Sequence, residues 1–271
     1  MSLQPIVKWA GGKRQLLSSL ITYLPSSYKN YYEPFIGGGA LLFHLTPTKA
    51  VVNDINPQLI NIYQQLQRDP SSLEKEIQEL DNHFIDNSYY LDIRTQYNDC
   101  LQKGELSVHS AALMIWLNKH CFNGLYRVNK QGLFNVGFNK NTNKTLVGYD
   151  YLSTSKFLQI VTIYNKDFED VCSTVEKDDF VYFDSPYLPK SKTANFTAYS
   201  KDGFTEEDHI RLSNLYKKLD KKGAKLMLSN NNVPKVKELY EGYRIIPLIT
   251  KCSINSDGSN RTSKEVLVIN Y

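Results

Sequence analysis

The sequence predicts an α/β protein, a mostly parallel sheet with an antiparallel hairpin at one edge and a helical insertion. Three observations carry this. Seven short β-branched or aromatic runs recur along the 271 residues. Helical patterns separate several of them, while the last two follow each other with no helix between. Between about Ile60 and Ser155 the pattern changes to helical periodicity followed by a Gly- and Asn-rich segment.

In chain order, "NYYEPF" (30–35) reads as the first strand and "GALLFHL" as the helix after it. "AVVNDI" (50–55) is the second strand, followed by the helix "PQLINIYQQLQ". "SSLEKEIQELDNHF" and "SVHSAALMIWLNKHCF" form the insertion, which ends in a segment rich in Gly and Asn. "QIVTIYN" (159–165) and "DFVYFD" (179–184) are the third and fourth strands. "TEEDHIRLSNLYKKLDKKG" is a helix opening on Thr205 as N-cap and closing at Gly223. "AKLMLSN" (224–230), "YRIIPLIT" (243–250) and "EVLVINY" (265–271) complete the set. Strands alternating with helices imply a sheet covered on both faces. The expected division is a sheet domain of residues 1–60 and 155–271, interrupted by an inserted domain of residues 61–154.

With 41% hydrophobic residues the chain builds a real core, and its longest apolar stretches, such as "AALMIWL" (111–117), are too short to span a bilayer. No secretory leader is evident at the N-terminus, so a cytoplasmic location is expected. Cys100, Cys121, Cys172 and Cys252 form no CxxC pair, and neither a metal site nor a disulfide framework is expected. His44, His83, His109, His120 and His209 receive no role, since nothing places them near an acid or a nucleophile.

The net charge of +4 is too small to name a partner, but its distribution is uneven. From Ser107 to Tyr149 there is no acid, while Lys119, Arg127, Lys130, Lys140 and Lys144 add five positive charges. A second acid-free stretch (187–201) adds Lys190, Lys192 and Lys201. Solvated surface is the ordinary meaning of such runs, yet two basic segments rich in Asn, Tyr and Phe suit a polyanion.

Four motifs carry chemistry. "EPFIGGGALLF" (33–43) places Gly37, Gly38 and Gly39 between strand and helix, where glycine permits a tight turn and close backbone approach of a ligand. Leu42 breaks the G-x-G-x-x-G dinucleotide pattern, so a pyrophosphate is disfavoured. Asp54 ends the second strand, as acceptor for ribose hydroxyls or as a cap for the helix beginning at Pro57. Together the two favour an adenosyl cofactor lacking a diphosphate. In "NKDFED" (165–170), Asp167 offers an acceptor and Phe168 an apolar face for an adenine, although aromatics beside strands are usually core.

"FDSPYLP" (183–189) breaks the fourth strand. Turn chemistry alone accounts for Asp, Ser and Pro there. If the ligand is a sulfonium methyl donor, the same residues make a clamp: Asp184 and the Ser185 carbonyl accept the two N–H bonds of an exocyclic amine, and Tyr187 stacks on its base.

"KWAGGK" (8–13), "EPFIGGGA" (33–40), "NDIN" (53–56), "FNGLYRVN" (122–129), "FNVGF" (134–138), "YFDSPY" (182–187) and "FTAYSKDGF" (196–204) together resemble, in order, the motifs of Dam-type DNA adenine-N6 methyltransferases. The resemblance covers nearly the whole chain and implies a Rossmann-like methyltransferase sheet with an inserted DNA-recognition domain carrying a β-hairpin. It implies S-adenosyl-L-methionine as cofactor, held by Trp9, Lys13, Phe35, Gly37, Gly39, Asp54, Asp167, Phe168 and Asp184. The catalytic set is then Asp184, Ser185, Pro186 and Tyr187. Double-stranded DNA is the implied partner, contacted by Asn123, Tyr126, Arg127, Asn129 and Lys140, with Tyr126 as a wedge. The implied reaction is base flipping followed by direct transfer to adenine N6, within GATC.

Two departures stand out. Gly137 occupies a position where the family usually has Pro, which loosens the loop and bears on the target sequence. Ser185 also replaces a usual Pro but keeps the backbone carbonyl, so catalysis is expected to slow at most several-fold. They leave a catalytically silent DNA-binding homologue as an alternative, and an RNA N6 methyltransferase shares the cofactor site.

Overall fold

A computed structural model describes residues 3–9, 11, 16–189, 203–248 and 265–271. Seven strands form one sheet: β1 (Tyr31–Glu33), β2 (Ala50–Asn53), β3 (Val161–Tyr164), β4 (Phe180–Phe183), β5 (Lys225–Asn231), β6 (Arg244–Leu248) and β7 (Glu265–Ile269). Their order is β3-β2-β1-β4-β5-β7-β6. The first five pair in parallel, and β7 runs antiparallel to both β5 and β6. The expected edge hairpin is present, with its second strand inserted between β5 and the edge strand β6.

Each sheet residue chooses a face by alternation. In β4, Phe180 and Tyr182 enter one buried cluster while Val181 and Phe183 enter the other. Helices α8 (Phe168–Cys172), α9 (Glu206–Lys221) and α10 (Pro234–Leu239) cover the face of the second cluster. Thr205 caps α9 in a reciprocal box with Asp208, as its sequence predicts.

The opposite face is covered by α1 (Leu17–Thr22), α2 (Ala40–Leu45), α3 (Pro57–Arg68) and the helices that follow it. These are α4 (Pro70–Leu80), α5 (Asn87–Lys103), α6 (Val108–His120) and α7 (Tyr151–Leu158). The apolar run "AALMIWL" lies in α6, whose residues from Ser110 to Asn118 are all buried; a helix apolar on every side is a central one. No helix among the described residues is long and apolar enough to cross a membrane.

The division expected at 60/61 falls inside α3, and that at 154/155 falls inside α7. Both helices join the same buried cluster as the sheet, so the helical part shares its core with the sheet face it covers. Residues 121–138 fold back on themselves as an antiparallel hairpin bridged at Cys121–Phe138 and Val128–Phe134. Its tip is closed by Asn129, whose side-chain oxygen accepts from the N–H groups of Gln131 (2.9 Å) and Leu133 (3.0 Å).

Candidate active site

The strand order reverses between β1 and β4, and open parallel sheets bind ligands beyond the carboxyl ends of strands at such a switch point. The glycine turn leaves β1 there and "DSPYLP" leaves β4. Asn53, fully buried at the end of β2, fastens the neighbouring strand ends. Its amide donates to the carbonyls of Pro34 and Lys166 (both 3.0 Å), and its oxygen accepts from Lys166 N–H (2.8 Å).

Asp54 follows, half-buried, its carboxylate accepting from Gly37 N–H (3.1 Å) and Asn56 N–H (3.0 Å). Burial pushes its pKa up to about 6 against the pull of these bonds, so the group is charged at neutral pH. Cap duty for α3 falls to Asn56 and not to Asp54. Gly37 and Gly39 have φ of +47° and +68°. A Cβ on Gly37 would meet Trp9 Cδ1 at 2.9 Å, and one on Gly39 would meet Phe43 and Tyr63 at 3.1 Å. Glycine is therefore demanded at both positions by the turn's own backbone and packing. Lys13 lies outside the described residues.

Directly after β4, Asp184 Oδ1 accepts from Ser229 Oγ at 2.8 Å, and that hydroxyl also meets the Tyr182 phenol at 3.2 Å. Tyr187 donates its hydroxyl to Glu265 of β7 at 3.0 Å. Burial first, and then the charge of Asp184, hold that phenol far above its ordinary pKa, so it stays neutral. The loop is fastened to β5 by Asn230 Oδ1 accepting from Leu188 N–H (3.0 Å) and Asn231 Nδ2 donating to Leu188 O (2.7 Å). Ser185 is 2% exposed and its hydroxyl has no partner among the described residues. Leaving a buried hydroxyl unpaired costs about 1–3 kcal/mol, so Ser185→Ala is expected to raise the urea unfolding midpoint of the free protein. A lower midpoint would show that the hydroxyl is bonded in solution.

Asp167 caps α8, its Oδ1 accepting from Glu169 N–H and from Arg211 Nη2, each at 2.9 Å. Phe168 is 5% exposed, with Arg211 4.8 Å above its ring and Phe35 and Phe204 at 5.4 and 6.0 Å. Phe168 thus belongs to a three-ring cluster whose partly exposed members are Phe35 and Phe204. His209 touches Phe204 with ring centroids 4.8 Å apart, is 2% exposed, and has no partner for Nε2. Burial pushes its pKa from 6.5 down to about 4. The unfolded chain takes up this proton first, so stability is full above pH 6.5 and falls as the pH drops toward 4. The loss is expected to be on the order of 3 kcal/mol and to shrink in His209→Leu, measured by urea unfolding against pH.

Residues 9–254 match the family described as D12 class N6 adenine-specific DNA methyltransferase. This chain belongs to that family. It is 41% identical over its full length to a type II methyltransferase of Lactococcus lactis subsp. cremoris, covering 96% of that protein. It is also 41% identical to a type II methyltransferase of Methanocaldococcus jannaschii, with both chains covered completely. A DNA adenine methylase of Vibrio cholerae is 31% identical over 97% of this chain and 94% of its own.

In this adenine-specific DNA methyltransferase the hairpin is held from behind. Asn98 of α5 pairs with both backbone groups of Phe134 (2.8 and 3.1 Å), and Tyr90 donates to Val136 O at 2.8 Å. Asn118 of α6 brackets the backbone of Lys8 (2.8 and 2.9 Å) and donates to Gly124 O at 2.8 Å. Tyr126 is no exposed wedge: its ring is 7% exposed and stacks on Trp9 with centroids 5.2 Å apart. The aromatic this segment exposes is Phe122, at 58%. The Asn129 side-chain oxygen is consumed by the tip turn and is not a free base acceptor. Asn123, Arg127 and Lys140 are exposed, Arg127 resting on Asn135 Oδ1 at 2.9 Å. Gly137 is exposed, with open space around a Cβ and no positive φ, so its backbone does not require glycine. Lys190, Lys192 and Lys201 lie outside the described residues, as does the loop 255–263. Among the described residues no cluster of His, Cys, Asp and Glu is arranged to hold a metal.

Proposed function

We propose that this DNA methyltransferase methylates adenine N6 in duplex DNA, within GATC, flipping the target base out of the helix and using S-adenosyl-L-methionine as donor. The observation that carries the reading is the Asp184 carboxylate, set at the switch point and oriented by Ser229 at 2.8 Å. The donor set fits an adenosyl group: Asp54 for the ribose, the Phe35 and Phe204 rings for the adenine, and the Gly37 to Gly39 turn for close approach. When bound, the cofactor supplies an electrophilic methyl group.

The chain's own residues do the rest. Asp184 and the Ser185 carbonyl accept the two N–H bonds of the adenine amine and draw its lone pair out of the ring, and Tyr187, neutral and anchored on Glu265, provides the stacking face. Preorganised acceptors and proximity supply the rate. Phe122, Asn123, Arg127 and Lys140 form the exposed surface offered to DNA, where Arg reads guanine edges or grips phosphate. The family motifs support GATC, and the type II names of two relatives support a restriction-modification role, in the cytoplasm where the DNA is. Incubation of duplexes with labelled cofactor, followed by mapping of methyladenine, tests the proposal. Methyladenine confined to GATC is expected; methylation elsewhere overturns the target, and none at any salt concentration overturns the activity.

A further inference from the structure

We infer that Arg211 is a positioning residue for the adenine end of the cofactor site, fixing the Asp167 carboxylate so that it discriminates a 6-amino purine from a 6-oxo purine. The inference rests on the proposed reading of Asp167 and Phe168 as the adenine site. It goes beyond that reading by assigning a residue on another helix and a selectivity.

The guanidinium of Arg211 sits among three carboxylates. Nη2 donates to Asp167 (2.9 Å), Nε to Glu169 (3.1 Å) and Nη1 to Asp208 (3.0 Å). Its plane also lies 4.8 Å over the Phe168 ring. A planar fork with three directed bonds and a stacked face has little rotational freedom, which distinguishes it from an ordinary surface pair. The consequence at Asp167 is asymmetric. Both donors, Glu169 N–H and Arg211 Nη2, fall on Oδ1, and Oδ2 has no protein donor among the described residues. One oxygen is anchored and the other is left as an acceptor. A carboxylate oxygen accepts the N–H of a 6-amino group and repels the oxygen of a 6-oxo group, so fixing its position converts a flexible charge into a selective one. The network also joins α8 to α9, and Phe204, the third ring of the cluster, lies next to Thr205, the cap of α9. Arg211 is 42% exposed, so its pairs are partly screened and its expected contribution is orientation more than stability.

Equilibrium binding of S-adenosylhomocysteine, and of the same molecule with hypoxanthine in place of adenine, tests this by calorimetry on the full chain. The wild-type protein is expected to prefer the adenine compound about tenfold or more. In Arg211→Gln the preference is expected to fall to about threefold or less, chiefly by weaker binding of the adenine compound. Arg211→Lys, which keeps the charge without the fork, is expected to lie between the two, and it also serves if Arg211→Gln fails to fold. A folded variant with the wild-type preference overturns the role of Arg211. A wild-type protein that binds both compounds equally overturns the assignment of Asp167 to the adenine, a separate failure.

Discussion

Asp184→Asn is expected to lower the single-turnover rate of methyl transfer about 10²- to 10³-fold while changing cofactor affinity far less. Asparagine is isosteric and its oxygen still accepts from Ser229, so the anchoring bond on the β4 end is kept. The charge is lost, and the second position of the carboxylate becomes an N–H donor facing an amine that needs an acceptor. An interaction made mainly in the transition state shows itself in the rate and not in binding. Rapid-quench assays with labelled cofactor, beside titration of the cofactor alone, separate the two. A rate within a few-fold of wild type would remove Asp184 from the chemistry.

Gly39→Ala is expected to cost about 2 to 5 kcal/mol of stability, the sum of a left-handed backbone and an overpacked neighbour. Its φ is +68°, and the added methyl would sit 3.1 Å from both Phe43 and the Tyr63 hydroxyl. That hydroxyl donates to Gly37 O at 2.8 Å, so the displaced Tyr63 releases the turn it supports. Gly104 provides the comparison: φ is +64° but nothing lies within 4 Å of a Cβ. Gly104→Ala is therefore expected to cost only the backbone part, about 1 to 2 kcal/mol. Equal urea midpoints for the two variants would contradict the packing argument.

The strands were legible because a two-sided parallel sheet writes itself as short apolar runs, and "FVYF" of β4 and "LML" of β5 are such runs. The cap at Thr205 was legible because capping is local in sequence. Asp54 and Asp184 stood out because strand ends in an alternating α/β pattern are where ligands bind. Ser229 and Arg211 were not visible, since each acts through a partner more than forty residues away, and no local rule links Ser229 to Asp184 or Arg211 to Asp167. The exchange of Tyr126 for Phe122 as the exposed aromatic has the same origin. Both are aromatic residues of one hairpin, and only the stack of Tyr126 on Trp9 decides which of them faces outward. The place of Asn129 in the tip turn is not legible either, because turn-forming and base-contacting asparagines are the same residue type, told apart only by where the amide oxygen is spent.

The bracket made by Asn118 sets a rule for exchanging this hairpin among related chains. One carboxamide stands in for a strand pairing that neither the Lys8 segment nor the Gly124 turn could make alone. A Cβ on Gly124 would lie 2.7 Å from the Lys8 side chain, so the two segments are fitted to each other by shape as well. A donor hairpin grafted at residues 122–138 therefore arrives without half of its seat. Chimeras that carry the matching residues 8 and 118 along with the hairpin keep the graft in register, and those that exchange the hairpin alone inherit a mismatch at its root.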